Sequence, residues 1–249
     1  MMDTRTDKVV IAACGTILLT FLIATKYGSI WVLYLNVLIT SGLFGYGIRQ
    51  ASEFSSHLSR SVIFGVSASI TYIPLDWLFS KKAHLILYLR SDIPWMPSAP
   101  LSLVLTWMIV LTVPIYLYQR LNAILGKAYL SAGVTGIAVL ISSAILGMLG
   151  SARFLWYWNE DITLAELERM VGPAGLWTWN ANLVARFPHI GSLPIFVPIA
   201  LFLTFLLSPY YFSRRQHPIV SGMRCGIFVG AMLFLCFVFF FLFWRKIAI

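Results

Sequence analysis

Apolar runs of membrane-spanning length recur along the whole chain, separated by more polar connections. A helix needs about 20 mostly apolar residues to cross the hydrocarbon core of a bilayer. Runs close to this length lie at residues 9–25, 29–48, 61–79, 100–118, 130–150, 193–211 and 222–244. The pattern predicts an all-α integral membrane protein. We expect a single polytopic domain, residues 1–249, folded as a bundle of about seven transmembrane helices.

Two of the connections are much longer than the others, and both fall on the same side of the predicted bundle. They cover residues 80–99 and 151–192. Loops longer than about 12–15 residues are usually either functional or disordered. These two are rich in Trp, Tyr, Leu and Ile, which is the wrong composition for disorder. We therefore expect two long aromatic loops that pack together on one face.

An approximate internal repeat accompanies this layout. Residues 98–120 align with residues 191–215 at an offset of 94, which pairs Pro100 with Pro194. A duplication would have units at about 61–121 and 130–215. The alternative is that prolines at span starts, and Tyr and Arg at membrane interfaces, are common in any case. Both explanations are open.

Composition and charge fit a membrane protein and not a nucleic-acid binder. The 249 residues are 59% hydrophobic and 11% charged, with a net charge of +9, whereas soluble domains carry about 25% charged residues. The Lys and Arg residues are scattered near the ends of apolar runs, as interfacial anchors are, and form no basic block. Short loops dominate orientation, so we predict a cytoplasmic N-terminus in the cell inner or plasma membrane.

Metal and disulfide chemistry have no motif to support them. Cys14, Cys225 and Cys236 lie in apolar runs and form no C-x-x-C pair, so they are interpreted as small buried hydrophobic residues. The four histidines have no partner at metal-ligand spacing. We expect neither a metal nor a cofactor.

Three acidic residues are the candidate catalytic groups. Asp76 lies near the end of the third predicted span, where a carboxylate is costly and usually faces a cavity or a partner. It could instead be interfacial and neutralised by Lys81 or Lys82. Glu160 and Asp161 follow the fifth span and would point about 100° apart on a helix. We expect at least one of these two to face inward.

Aromatic residues crowd beside these acids. The predicted substrate-binding residues are Trp77, Trp156, Tyr157, Trp158, Asn159, Trp177, Trp179 and Asn180. An interfacial belt of Trp and Tyr would explain them without a site, but belt residues are usually scattered over several spans. Here most of them share one loop with two carboxylates, which favours a binding wall.

Acids beside aromatic faces suit carbocation chemistry. Aromatic faces stabilise a desolvated cation by about 2 kcal/mol, and an acid in an apolar pocket can deliver a proton. The sequence thus predicts a membrane-embedded cyclase, hydratase or isomerase of terpenoid or carotenoid type. Its partners would be a lipophilic isoprenoid substrate and membrane lipid.

Three stretches of the chain resemble membrane carotenoid-modifying enzymes. They are IPLDWLF (73–79), GLWTWN (175–180) and IGSLPIFVPIA (190–200). They are similar to elements of bacterial carotenoid hydratases and of the small integral-membrane lycopene cyclases. The resemblance implies cofactor-free isoprenoid chemistry, with Asp76 and Glu160 or Asp161 as acid and base. The lycopene cyclases carry a paired-acid element where this chain has Asp76 alone.

Two other classes of function are compatible with the sequence. A small transporter would also place Asp76 and proline-containing spans around a cavity, and a duplication would suit it. A non-enzymatic membrane subunit could bind pigment or partner proteins through its aromatic surface.

Overall fold

A helical bundle makes up most of the molecule. The computed structural model describes residues 4–50, 57–89, 100–151, 175–184, 186–212 and 216–244. Its helices are α1 (Thr4–Tyr27), α2 (Trp31–Gln50), α3 (His57–Trp77), α4 (Leu101–Leu125), α5 (Ala128–Gly150), α6 (Ala181–Val184), α7 (Phe196–Leu206), α8 (Ser208–Tyr211) and α9 (Pro218–Phe239). Six of these, α1–α5 and α9, are long and apolar enough to cross a membrane. The predicted multi-pass helical membrane protein is thereby confirmed.

The predicted span 193–211 is not one continuous helix. It contains α7, which has 11 residues, and the single turn α8. Pro209 has no N–H to donate, and its ring clashes with the carbonyl four residues earlier, so it disfavours a continuous helix, and α7 ends at Leu206 just before it. Tyr211 repairs the break by donating its phenol to the carbonyl of Thr204 at 2.9 Å. At about 1.5 Å per residue α7 is about 16 Å long, shorter than the hydrocarbon core.

The structure is mostly helical, as predicted, but short strands occupy parts of the two connections that were predicted as loops. Strand β1 (Ile86–Tyr88) pairs antiparallel with β2 (Trp177–Trp179), and Leu87 lies opposite Thr178. Strands β3 (His189–Ile190) and β4 (Leu193–Pro194) form a second small pair. The pairing of β1 with β2 joins the described parts of the two long connections, as the sequence predicted. We call this end of the bundle the strand end.

Helix α3 lies at the centre of the bundle, between α4 and α9. Glycines permit its close approach to both neighbours. A Cβ atom at Gly226 of α9 would meet the Ala68 carbonyl and Thr71 of α3, and one at Gly65 of α3 would meet Met108 and Thr112 of α4. Small residues of this kind let membrane helices pack backbone to backbone.

Helix α1 is tied to the rest of the molecule at both ends. At the end opposite the strands, Arg120 Nε donates to Asp7 Oδ1 at 2.8 Å, and the Tyr116 phenol donates to the same oxygen at 2.7 Å. At the strand end, the Gly175 N–H donates to the Thr25 carbonyl at 3.0 Å. Both attachments lie outside the middle of α1.

Candidate functional site

A cavity of about 350 Å³ lies inside the bundle, in the half nearer the strand end. Side chains from α1, α3, α4, α5, α7 and α9 form its wall, and β1 and β2 close it at the strand end. Its size falls at the lower end of the range for small-molecule sites, roughly 300–1,000 Å³. Nearly all of its lining is aliphatic or aromatic, with Asp76 as its acidic residue.

Asp76 occupies the last turn of α3 and is 7% exposed. Its Oδ1 accepts a hydrogen bond of 2.6 Å from the Tyr88 phenol. Tyr72 lies four residues earlier on the same helix, so it shares the face of Asp76, and it also lines the cavity. A carboxyl group and two phenols therefore meet at one corner of the apolar cavity.

A tight reversal of the chain brings Tyr88 back over α3. After α3 the backbone makes a π-helical turn, Leu78–Lys82. The Leu85 N–H then donates to the Phe79 carbonyl at 2.9 Å, and His84 takes a positive φ of 48°. Non-glycine residues adopt that left-handed conformation infrequently, mostly at turns. The reversal returns β1 alongside α3, which places the Tyr88 side chain against Asp76.

The Tyr88 phenol is held in its neutral, hydrogen-donating form. Burial raises the pKa of Tyr88 well above its ordinary value of 10.0, and the negative charge that Asp76 carries when it is ionised raises it further. Burial disfavours the charged phenolate, and a nearby like charge adds to that cost. Tyr88 therefore donates to Asp76 at physiological pH.

Two tryptophans of β2 form an aromatic wall. Side chains two residues apart on a strand point to the same face, so Trp177 and Trp179 both line the cavity while Thr178 does not. Trp177 contacts Phe21, with ring centroids 6.1 Å apart, and Trp179 meets Phe196 edge to face at 5.9 Å. Both are 7% exposed, and their indole N–H groups have no hydrogen-bond partner among the described residues. Contacts with neighbouring rings, and with Gly150 in the case of Trp177, therefore hold these indoles in place.

Two predicted substrate-binding residues lie elsewhere. The Trp77 ring does not line the cavity, and the Lys82 ammonium lies 5.6 Å from its centroid. Asn180 also lies outside the lining: its Nδ2 donates to the His84 carbonyl at 2.9 Å, and its N–H donates to Leu85. Asn180 therefore fastens β2 to the reversal before β1. Trp77 follows Asp76 directly, so on a helix it points about 100° away from it.

The remaining predicted site residues lie outside the described residues. They are Trp156, Tyr157, Trp158, Asn159, Glu160 and Asp161. Of the predicted residues that the structure describes, it brings together Asp76, Trp177 and Trp179.

Sequence reasoning missed two tyrosines and one tryptophan of the cavity wall, namely Tyr72, Tyr88 and Trp107, as well as its four phenylalanines. Tyr72 was detectable, because it precedes Asp76 by one helical turn. Trp107 lies on α4, in a run where a tryptophan gives no sign of facing inward. Tyr88 joins the site because the reversal after α3 returns β1 alongside that helix and β1 pairs with β2. No local sequence pattern predicts a three-residue strand whose partner lies so far away in sequence.

The arrangement suits the transfer of one proton to an apolar molecule. A carboxyl group can hold a proton on Oδ2 while Oδ1 accepts from Tyr88, and aromatic faces lie in the same cavity. Comparison of the chain with protein-family models, curated proteins and solved structures gave no match.

Proposed function

We propose that the protein is a membrane-embedded isoprenoid cyclase, hydratase or isomerase in which Asp76 donates the initiating proton. The observation that carries the proposal is a carboxyl group, hydrogen-bonded to a neutral phenol at 2.6 Å, in an otherwise apolar cavity walled by tryptophans. The resemblance of the 73–79, 175–180 and 190–200 stretches to carotenoid hydratases and membrane lycopene cyclases supports the same class of reaction.

The chemical step is protonation of a carbon–carbon double bond or an epoxide. The Oδ2–H bond of Asp76 breaks, and the substrate's electron pair forms the new C–H or O–H bond. Asp76 is left as a carboxylate, which the Tyr88 hydrogen bond stabilises. The cation lies against aromatic faces, which favour positive charge by about 2 kcal/mol when desolvated. Loss of a proton completes a cyclisation or isomerisation, and addition of water completes a hydration.

The base that receives the final proton is the second part of the proposal. Glu160 or Asp161 would take it, since both follow α5, whose last turn packs on Trp177. The carboxylate of Asp76 would be the acceptor if neither did. Direct return of the proton restores Asp76 for the next turnover, whereas the route through Glu160 or Asp161 needs a second transfer, from that residue through water to Asp76; neither route requires a cofactor.

Asp76→Asn is the direct test. The amide keeps the shape and polarity of the side chain but has no transferable proton, so turnover should fall on the order of 100-fold or more. In cells that make isoprenoids, the wild type should yield a product whose mass equals that of the substrate or exceeds it by one water. The variant should yield no product. Asp7→Asn, a matched change at the opposite end of the bundle, should keep turnover per folded molecule.

The other outcomes of this experiment separate the competing classes. Full turnover in Asp76→Asn would overturn the proton-donor role. Unchanged lipid extracts with the wild type, together with solute uptake into vesicles, would favour the transporter. Unchanged extracts with a co-purifying isoprenoid would favour a non-enzymatic binding subunit.

The finer topology belongs to the same proposal. We propose that α7 and α8 together make a seventh crossing and that the N-terminus is cytoplasmic in the inner or plasma membrane. An approximate duplication is supported by the strand pair, since β1 and β2 each precede a proline-headed helix, α4 after Pro100 and α7 after Pro194. Cysteine labelling near the two ends of the chain tests the seventh crossing, which predicts the ends on opposite sides with the N-terminus cytoplasmic, and labelling at residues 90 and 165 tests the two loops, which are predicted on the same side.

A further inference from the structure

The cavity is long and narrow, and it occupies one half of the bundle's depth. Along α4 it runs from Leu103, the third of 25 residues, to Pro114, the fourteenth. Eleven residues at 1.5 Å each give a length of about 16 Å. That is about half of the ~30 Å hydrocarbon core, the depth of a single leaflet.

The other helices place the cavity in the same half. On α1 it is lined from Cys14 to Phe21, and on α5 from Val139 to Gly147, in each case towards the strand end. Asp76, Tyr88 and the two tryptophans of β2 lie at the strand end of this slot. Cys14, Pro114, Val139 and Phe205 lie at its other end, near the middle of the bundle.

The slot reaches the outer surface of the bundle between α1 and α5. Three of its lining residues are exposed: Leu18 at 44% on α1, and Ile145 at 40% and Ser142 on α5. The other described lining residues are buried or partly buried. Helix α1 packs mainly on α2 and has far less contact with α5. The hydrogen bonds at Asp7 and Thr25 hold the two ends of α1. Among the described residues, no hydrogen bond joins the middle of α1, where Leu18 lies, to α5.

We propose that the gap between Leu18 and Ser142 is a lateral portal through which a single-chain lipid enters the slot from one leaflet. Its reacting end lies at Asp76, and its hydrocarbon tail extends towards the middle of the bilayer. This inference rests on the proposed function and specifies its substrate class, a lipid with one apolar chain and its reactive group at one end. The leaflet is the one on the strand side.

Photo-crosslinking of the full-length protein in lipid vesicles tests the portal and the orientation together. The probes are two long-chain alcohols of about one leaflet's length, with a diazirine either beside the hydroxyl or at the tail. The first should label peptides of the α3 end, β1 and β2. The second should label peptides containing Cys14, Val139 or Phe205. The reversed pattern, or labelling confined to the outer surface of the helices, would overturn the proposal.

Paired variants on α5 isolate the portal. Ser142→Trp fills the gap and should reduce slot labelling at least fivefold, whereas Ile141→Trp, at an exposed neighbour that does not line the slot, should leave it unchanged. Equal labelling in both variants would overturn the portal. Asp76→Asn should keep the labelling pattern, because binding does not need the proton. Correct labelling of a wild type that makes no product would refute the enzyme and leave the portal standing.

Discussion

At the residue scale, the pairing of Asp76 with Tyr88 decides what the site can do. A carboxyl group in an apolar cavity is a better proton donor when its conjugate base is stabilised, and the phenol supplies that stabilisation at 2.6 Å. The raised pKa of Tyr88 has a defined consequence for pH. Below pH 10, near the pKa of tyrosine in the unfolded chain, Tyr88 contributes fully to the stability of the fold. That contribution is lost as the pH rises through the higher pKa that Tyr88 has in the folded protein.

Tyr88→Phe should therefore lower turnover without abolishing it. The change removes one hydrogen bond to a developing carboxylate, worth about 1.5–3 kcal/mol, or roughly a 10- to 150-fold loss of rate. The measurement is product formation in vesicles at matched folded protein. Tyr46→Phe, at a phenol that is 58% exposed on α2, is the control and should have no effect. A Tyr88→Phe enzyme with wild-type turnover would remove Tyr88 from the mechanism.

The two tryptophans at positions 77 and 179 make a second comparison at this scale. Trp179→Leu removes an aromatic face from the cavity and should slow turnover by up to about 30-fold, the equivalent of about 2 kcal/mol. Trp179→Phe should recover part of the rate. Trp77→Leu should leave turnover near normal, since Trp77 lies outside the cavity. Equal losses at both positions would show that the cavity does not define the site.

At the scale of elements, the apolar runs of the sequence predicted most of the helices, but not the two strands, β1 and β2, that close the cavity. Six long spans follow directly from runs such as 130–150, because a bilayer demands length and hydrophobicity from each helix. The break before α8 was visible in Pro209 but could not be placed, since prolines occur inside α3 and α4 without ending them. The strands β1 and β2 were not predictable, because each has three residues and is defined only by the other.

The contact between α3 and α9 offers a test of packing. Gly226→Ala would put a Cβ atom against the Ala68 carbonyl and 2.9 Å from Thr71 Cβ. Backbone cannot rotate away as a side chain can, so the variant should lose about 1–3 kcal/mol of unfolding free energy. Gly133→Ala on α5, with nothing within 4 Å, should be neutral or gain up to about 1 kcal/mol. Thermal unfolding in detergent compares the two, and equal unfolding temperatures would contradict the close packing.

At the scale of the whole molecule, the two ends of the bundle have different tasks. The strand end carries the cavity and its acid, while the opposite end holds α1 to α4 through Asp7 and Arg120. Arg120 and Asp7 keep 13% and 29% of their side-chain surface exposed. The portal requires that α1 stay in place along its length while its middle lets a lipid chain pass.

Asp7→Asn should consequently destabilise the fold more than the site. Losing the charge weakens three charge-assisted hydrogen bonds and leaves Arg120 partly buried beside a neutral amide, for a loss of about 1–3 kcal/mol. Lys8→Gln, at an exposed neighbour in the same turn, is the control. Unfolding free energies measured by denaturant titration in micelles should separate the variants. An unchanged value for Asp7→Asn would show that the ion pair does not anchor α1.

The pairing of β1 with β2 sets an order of events during synthesis. Leu87 pairs with Thr178, 91 positions later, so β1 cannot pair until α4, α5 and β2 have been synthesised. At roughly 5–20 residues per second this delay lasts about 5–18 s, during which Asp76 has its helix but not its completed surroundings. A nascent chain arrested after residue 160 should leave residues 80–89 open to protease, and one arrested beyond residue 220 should protect them. The nascent protein would thus carry Asp76 for several seconds before the cavity around it is complete.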